Sequence, residues 1–235
     1  MTDRSRWEKA QKYEKSWWDN RKAVLDLNYF KTYSREVNEF MPPGTVTKTT
    51  AILEIGCGPA GTVTDLDSDD KHAIDPLVSF YSTVPEFVAA RDPRTHYYTA
   101  RGEELPFPDS RFDLVIMDNV LDHGQEPLQI IAEMKRVIKP GGQVYFRQHV
   151  YSFWGYAVRW LMERFVLDPG HPHTYTEASL RKTLKSFGFT IEREKHAGHL
   201  PIWWAELRSG NRKAIVRALM LVTRDKVTFA LRAPR

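Results

Sequence analysis

Three glycines, Gly56, Gly58 and Gly61, stand in the stretch AILEIGCGPAG (residues 51–61) at the G-x-G-x-x-G spacing of a turn that cradles a nucleotide-like ligand. Glycine lets a backbone turn sharply with no Cβ between it and the ligand. Asp75 ends the next apolar run, where one carboxylate can accept hydrogen bonds from two ribose hydroxyls at once. Four histidines follow later apolar runs: His123 in NVLDH, His149 in FRQH, and His171 with His173 in DPGHPHTY. An imidazole titrates near neutrality and suits work as a general base. His149, His171 and His173 with Asp122 are also residue types that ligate metals. Beyond the H-x-H pair they lack metal-ligand spacing, and we expect no metal. Plain structural roles compete. A strand-end histidine can bond the backbone, and GHPHTYTE can be a turn before a helix capped by Thr174 or Thr176, with Glu177 in its first turn.

Alternating elements must hold these residues. Ala51–Ile55 is nearly all apolar, as in a parallel strand covered on both faces. Further strands are expected at 71–75, 95–100, 112–118, 143–149, 189–195 and 226–232. Between them, EPLQIIAEMKRVIKPGG reads as an amphipathic helix with Leu128, Ile131, Met134 or Lys135, and Ile138 on one side. Pro140 with Gly141 and Gly142 should stop it. Helices are also expected at 153–166, 177–187 and 211–222. At the N-terminus, RWEKAQKYEKSWWDN places Trp7, Ala10, Glu14 and Trp17 near one helix face, and a second helix over 21–40 ends at MPPG. The pattern predicts a doubly wound, mostly parallel, seven-stranded α/β sheet with an N-terminal helical cap. One domain should cover 1–235: the cap at 1–45, a cofactor-binding core at 50–150, and substrate-side helices with the last strands at 151–235.

Composition narrows the class. Hydrophobic content of 42% and charged content of 27% over 235 residues describe a globular chain. The single cysteine, Cys57, excludes an intrachain disulfide and suits a reducing, cytoplasmic setting. The charged first thirty residues do not resemble a secretory leader, and the most apolar stretch, 153–166, is too short and too charged to span a bilayer. Net charge is +4, concentrated near the end, where Arg208, Arg212, Lys213, Arg217, Arg224, Lys226, Arg232 and Arg235 face Glu206 and Asp225. Such a segment can meet nucleic acid, or be a solvated helix face with its stems on apolar surface, which is the reading we adopt.

The segment after Gly61 decides between cofactors. TVTDLDSDDK is short and carries Asp65, Asp67, Asp69 and Asp70, a poor surround for a pyrophosphate and a tolerable one for the sulfonium and ammonium of S-adenosylmethionine. Four blocks then match in order: LEIGCGPAG, AIDP, GEELPFPDSRFDLVIMDNVLDH and VIKPGG. With these the chain resembles a class I S-adenosylmethionine-dependent methyltransferase of the small, single-domain, type 11-like kind, over about residues 50 to 150. The resemblance implies a Rossmann-like methyltransferase fold and roles for matching residues. Gly56 and Gly58 would admit the methionine part of the cofactor, and Glu54 would anchor the turn or the amino group. Asp75 would hold the ribose, Gly102 and Glu103 would lie beside the adenine, and Asp118 and Asn119 would border the methyl group and the substrate. Arg101 stands where the family often has an acidic residue, and the first helix should be as short as a single turn.

The resemblance implies methyl transfer to an O or N atom of a small molecule, with His123, His149 or His173 as base. Trp17, Trp18, Tyr29, Phe30, Trp154, Tyr156, Trp203 and Trp204 fall in segments that cover the substrate pocket in this architecture, which would suit a flat, aromatic or sugar acceptor. Nucleic-acid substrates are disfavoured: DNVL replaces the Pro-Pro-aromatic block of adenine methyltransferases, and Cys57 lies inside the cofactor turn rather than where a nucleophile would be. An RNA methyltransferase using the basic C-terminal segment and a non-catalytic S-adenosylmethionine-binding protein are the alternatives. The oligomeric state is left open.

Overall fold

The computed structural model describes residues 3–22, 27–165 and 170–235. Seven strands, β1 (Ala51–Ile55), β2 (Asp70–Asp75), β3 (Thr95–Thr99), β4 (Phe112–Asp118), β5 (Ile138–Tyr151), β6 (Thr190–His196) and β7 (Arg224–Arg232), form one sheet in the order β3-β2-β1-β4-β5-β7-β6. β1 to β5 run parallel, and β7 lies antiparallel between β5 and β6. The strand order reverses between β1 and β4, which opens a crevice at their carboxyl ends where sheets of this kind bind ligands.

Alternation along the strands divides the core in two. Leu53, Ile55, Val115, Met117 and Phe146 face one side. There α5 (Pro127–Val137) and α7 (Glu177–Ser186) cover them, with Ile130, Ile131, Met134, Leu180 and Leu184 fully buried. Ile52, Leu114, Ile116 and Tyr145 face the other side, against Val37 and Phe40 of α2 (Leu27–Phe40). The cap helix α1 (Asp3–Asp19) reaches a third cluster, Tyr81 of α3 (Val78–Tyr81) with Phe87 of α4 (Pro85–Ala89), through Trp18.

Several boundaries differ from expectation. The helix of the EPLQ block ends at Val137, and β5 starts at once with Ile138, so Pro140, Gly141 and Gly142 lie in the strand. Leu128 is 61% exposed, because Ile130 and Val137 take the inward face instead. α6 (Phe153–Arg164) and α9 (Arg212–Leu219) match their patterns in kind. Val166, the expected end of α6, the start of the expected turn after it, and residues 23–26, inside the expected second helix, lie outside the described residues. α8 (His199–Arg208) was not expected; its Pro201 sits in the first turn, where its missing N–H has no intrahelical partner to lose. No helix among the described residues is long and apolar enough to cross a membrane.

Candidate functional site

The glycine turn is built around Glu54. The segment after Gly61 is a single 3-10 turn, Thr62–Asp65. Glu54 is buried, and its two carboxylate oxygens accept the N–H groups of Thr62 (2.9 Å) and Val63 (2.8 Å). Burial pushes its pKa up to about 7, against the pull of those two bonds. Gly61 has φ +82, and a Cβ there would lie 2.5 Å from Glu54 Oε2. Gly61→Ala is therefore expected to cost about 1–3 kcal/mol, read as a lower urea midpoint; an unchanged midpoint refutes this picture of the turn. Gly56, φ +76, donates to the Ile74 carbonyl at 2.8 Å, which ties the turn to β2.

Asp75 closes the other side of the turn. It accepts from Gly58 N–H (3.1 Å) and Leu77 N–H (2.8 Å), and burial raises its pKa to about 6. The Trp18 ring comes within 3.5 Å of where a Gly58 Cβ would be, and its indole N–H donates to Glu14 at 2.9 Å. The cap helix thus lies directly over the glycine turn. The acidic segment is placed differently from expectation. Asp70 pairs with Ala51 at the start of β1, about 16 Å of strand from the glycine turn. Asp69 and Asp70 bind Arg94 and Arg111 at that far edge and bear little on a ligand.

At the end of β4, Asp118 gives both oxygens to Arg147, which also binds Glu36 and lies 4.0 Å from the Tyr33 ring centroid. Asn119, φ +57, accepts from His149 N–H (3.1 Å) and Gln148 Nε2 (3.2 Å), joining the ends of β4 and β5. Gly102 packs beneath Ile130 and Ile55, and Glu103 accepts from the Gln125 and Glu126 N–H groups at the start of α5. Arg101, in the unusual position, stacks 4.5 Å from the Trp7 ring and pairs with Glu103 at 3.4 Å.

The histidines separate into two groups. Asp122, His123 and His171 each bring one ligand-type atom within 4.8 Å of the others, and the His123 and His171 rings lie 4.7 Å apart. Asp122 is buried; the charges of His123 and His171 and a bond from Gln148 outweigh that burial and hold its carboxyl below the usual range. His173 donates its backbone N–H to the Asp122 carbonyl (3.3 Å), so His123 rather than His149 or His173 completes this cluster. Thr176, not Thr174, caps α7.

His149 instead faces a cleft of about 410 Å³ between α2, the β5–β7–β6 corner and α8–α9. β5 and β7 register His149 against Lys226 and Tyr151 against Arg224, so alternate residues of both strands share this face. Lys195 of β6 and Arg217 of α9 add cations, while Phe40, Tyr145 and Ile202 supply apolar wall. Arg217 pairs with Glu206. Lys195, Arg224 and Lys226 form no ion pair among the described residues, though Lys226 lies 5.6 Å over the Tyr33 ring. Burial, reinforced by the charge of Arg224, pushes the His149 pKa down to about 3, and its Nδ1 is buried with no partner. Of the aromatic residues expected over a substrate pocket, Trp154, Tyr156, Trp203 and Trp204 do not line this cleft, Trp18 lies over the glycine turn, Phe30 is buried, and the Tyr29 side chain lies outside the described residues. Trp17 stacks with Arg21 at 3.8 Å. Arg224 and Lys226, read as part of a solvated surface, are half-buried here.

The family model described as "Methyltransferase domain" matches residues 53–146, from the glycine turn through the crevice to β5. Over these residues the chain carries a methyltransferase domain of the S-adenosylmethionine-dependent kind. It is 31% identical over 149 residues to a probable S-adenosylmethionine-dependent methyltransferase of Mycolicibacterium smegmatis, covering 60% of this chain and 52% of that one. A thiol S-methyltransferase of Rattus norvegicus is 30% identical over 126 residues, covering 52% of this chain and 51% of its own. The chain spans about half the length of these relatives. In fold it matches the geranyl diphosphate C-methyltransferase of Streptomyces coelicolor, a complex with S-adenosylhomocysteine, at TM-score 0.64 and 13% identity over 86% of this chain and 78% of that one.

The cofactor of this family, S-adenosylmethionine, fits the residues present. Gly56 and Gly58 take positive φ at which a side chain is disfavoured, a Cβ at Gly56 would lie 2.5 Å from Val120, and the half-buried Asp75 carboxylate keeps free lone pairs beside them.

Proposed function

We propose that the chain methylates an oxygen or nitrogen atom of a small molecule carrying a carboxylate or phosphate, held in the cleft beside His149. The observation that supports the anionic group is the set of three cations, Lys195, Arg224 and Lys226, that face the cleft without a carboxylate partner among the described residues. The volume and the apolar wall of Phe40 and Ile202 suit a small organic body. The rat relative is a thiol S-methyltransferase, so the acceptor atom varies among relatives and must come from the pocket. A cytoplasmic setting fits the lone, buried Cys57.

The bound cofactor would supply a methyl group on a cationic sulfur, whose charge disappears as the acceptor lone pair displaces the thioether. The protein contributes alignment and exclusion of water. Asp75 and the backbone at Gly58 orient the nucleoside, Glu54 keeps the turn in shape, and Trp18 covers it. His123 takes the acceptor's proton; it lies 3.8 Å from Glu14, beside His171 and the buried Asp122. His149 stays neutral and lines the cleft beside the acceptor. The backbone of His173 positions the loop against Asp122.

The test is a screen of small acids against their neutral amides, read as S-adenosylhomocysteine formed. Acids should be turned over, and Arg224→Gln with Lys226→Gln should raise KM for them about tenfold or more, leaving S-adenosylhomocysteine affinity unchanged. Amides accepted as readily as acids, turnover confined to RNA, or cofactor binding with no turnover of any acceptor would each sink the proposal.

A further inference from the structure

α6 is inside out. It buries Arg159, 5% exposed, whose guanidinium donates to the His171 carbonyl (3.2 Å) and lies 5.7 Å from the Tyr151 ring. Outward it presents Phe153 (85% exposed), Trp154, Trp160 (65%) and Leu161, with Phe165 just beyond the helix. Neighbouring helices continue the surface. On α8, Leu200, Trp204 and Arg208 recur at i, i+4 and i+8 and are all exposed. On α9, Ala214 and Ala218 face inward, while Arg212, Val216 and Leu219 line the outward side with Lys213 and Met220 beside them. The three helices are joined: Trp154 donates its indole N–H to the Met220 carbonyl (3.1 Å), and Trp203 donates to Ala218 (2.9 Å). Scattered apolar residues on a surface need no explanation, but a contiguous patch of this kind marks a docking face.

We propose that this α6–α8–α9 face docks the protein on the surface of a lipid bilayer containing anionic lipids. Tryptophans at 154, 160 and 204 combine an apolar ring with a polar N–H, the side chain suited to the headgroup boundary. Arg208, Arg212 and Lys213 stand exposed on the same outward faces, and the Arg208 guanidinium lies 4.2 Å over the Trp204 ring. The acidic side chains of these helices are already engaged: Glu163 pairs with Arg6 (2.5 Å), and Glu206 is buried against Arg217 and Thr223. An apolar face whose free charges among the described residues of these helices are cationic is complementary to anionic headgroups over acyl chains. A second copy would set the same cations against each other across the interface, which disfavours a dimer through this face.

Flotation of the full chain with vesicles tests this, using phosphatidylcholine alone and phosphatidylcholine mixed with phosphatidylglycerol. The chain should float with both, and phosphatidylglycerol should strengthen binding by about tenfold. Phe153→Gln with Trp160→Gln should weaken binding to both vesicles by about tenfold or more. Arg212→Glu with Lys213→Glu should erase the preference for phosphatidylglycerol. Both pairs are exposed, so melting temperature and S-adenosylhomocysteine affinity should stay at the wild-type values. Wild-type protein that floats with neither vesicle overturns the inference, as does binding that the variants leave unchanged. So does a dimer in sedimentation equilibrium that Phe153→Gln with Trp160→Gln dissolves without any vesicle binding, since that gives the face to a second copy.

Discussion

Asp75→Asn is expected to weaken S-adenosylhomocysteine binding by about a hundredfold in calorimetric titration. The carboxylate has two tasks in this fold. Its inner lone pairs accept the Gly58 and Leu77 N–H groups, which shape the glycine turn and the start of α3. Its outer lone pairs are left for the hydroxyls of a ribose lying along the turn. An amide nitrogen cannot accept, so in the variant one of those N–H groups faces another donor and one ribose hydroxyl loses its acceptor. One charge-assisted bond to the ribose, at about 1.5–3 kcal/mol, sets the scale of the loss. S-adenosylmethionine should behave in the same way, and NAD should bind to neither protein. An unchanged affinity would remove Asp75 from the site. Tight NAD binding would mean that the glycine turn serves a pyrophosphate after all.

That last possibility matters because part of the case against a pyrophosphate changes once the sheet is known. Asp69 and Asp70 follow Gly61 closely in the chain, yet strand β2 begins there and carries them to the opposite edge, where arginines neutralise them. Proximity in sequence is a poor guide across a turn that reverses direction. Glu54 is better evidence, being buried under the turn itself and bonded to its backbone. The strands that face two apolar layers, β1 and β4, were readable because every residue is apolar or nearly so. The cleft was not. His149 was legible as a strand-end histidine, but its neighbours Arg224 and Lys226 lie about 75 positions later, and only the β5–β7 register puts them on the same face. Arg147, Gln148 and Glu36 were missed for the same reason, since alternate positions carry chemistry only after the direction of each strand's faces is fixed. The aromatic residues stand out by density alone, and α6 and α8 turn several of them away from this cleft.

Glu54→Gln is expected to flatten the dependence of stability on pH between about pH 4.5 and 7.5. The buried carboxylate ionises near pH 7 in the folded chain and near 4.5 when exposed, so across that interval the native state holds a proton that the unfolded state has released. Stability tied to that proton is fully present below the unfolded value and is lost as pH rises through the folded one. The loss from this one group is about 3 kcal/mol. Asp75, raised to about 6, works in the same direction and remains in the variant. Asp70 and Asp122, held below the usual range by their partners, act in the opposite sense at more acidic pH, and His149, pushed down to about 3, and His72, also lowered, act in that sense within the window. All four remain in the variant, so the difference between the two curves reports Glu54. Glutamine keeps one acceptor for the Thr62 and Val63 N–H groups and turns an amide toward the other, so the variant also starts from a strained turn. The absolute stability at any single pH therefore mixes relief of a buried charge with a mismatched hydrogen bond. The slope isolates the charge. Urea unfolding at a series of pH values should show the wild type losing stability relative to Glu54→Gln as pH rises toward 7.5, and parallel curves would mean that Glu54 ionises in the folded protein as readily as it does in water.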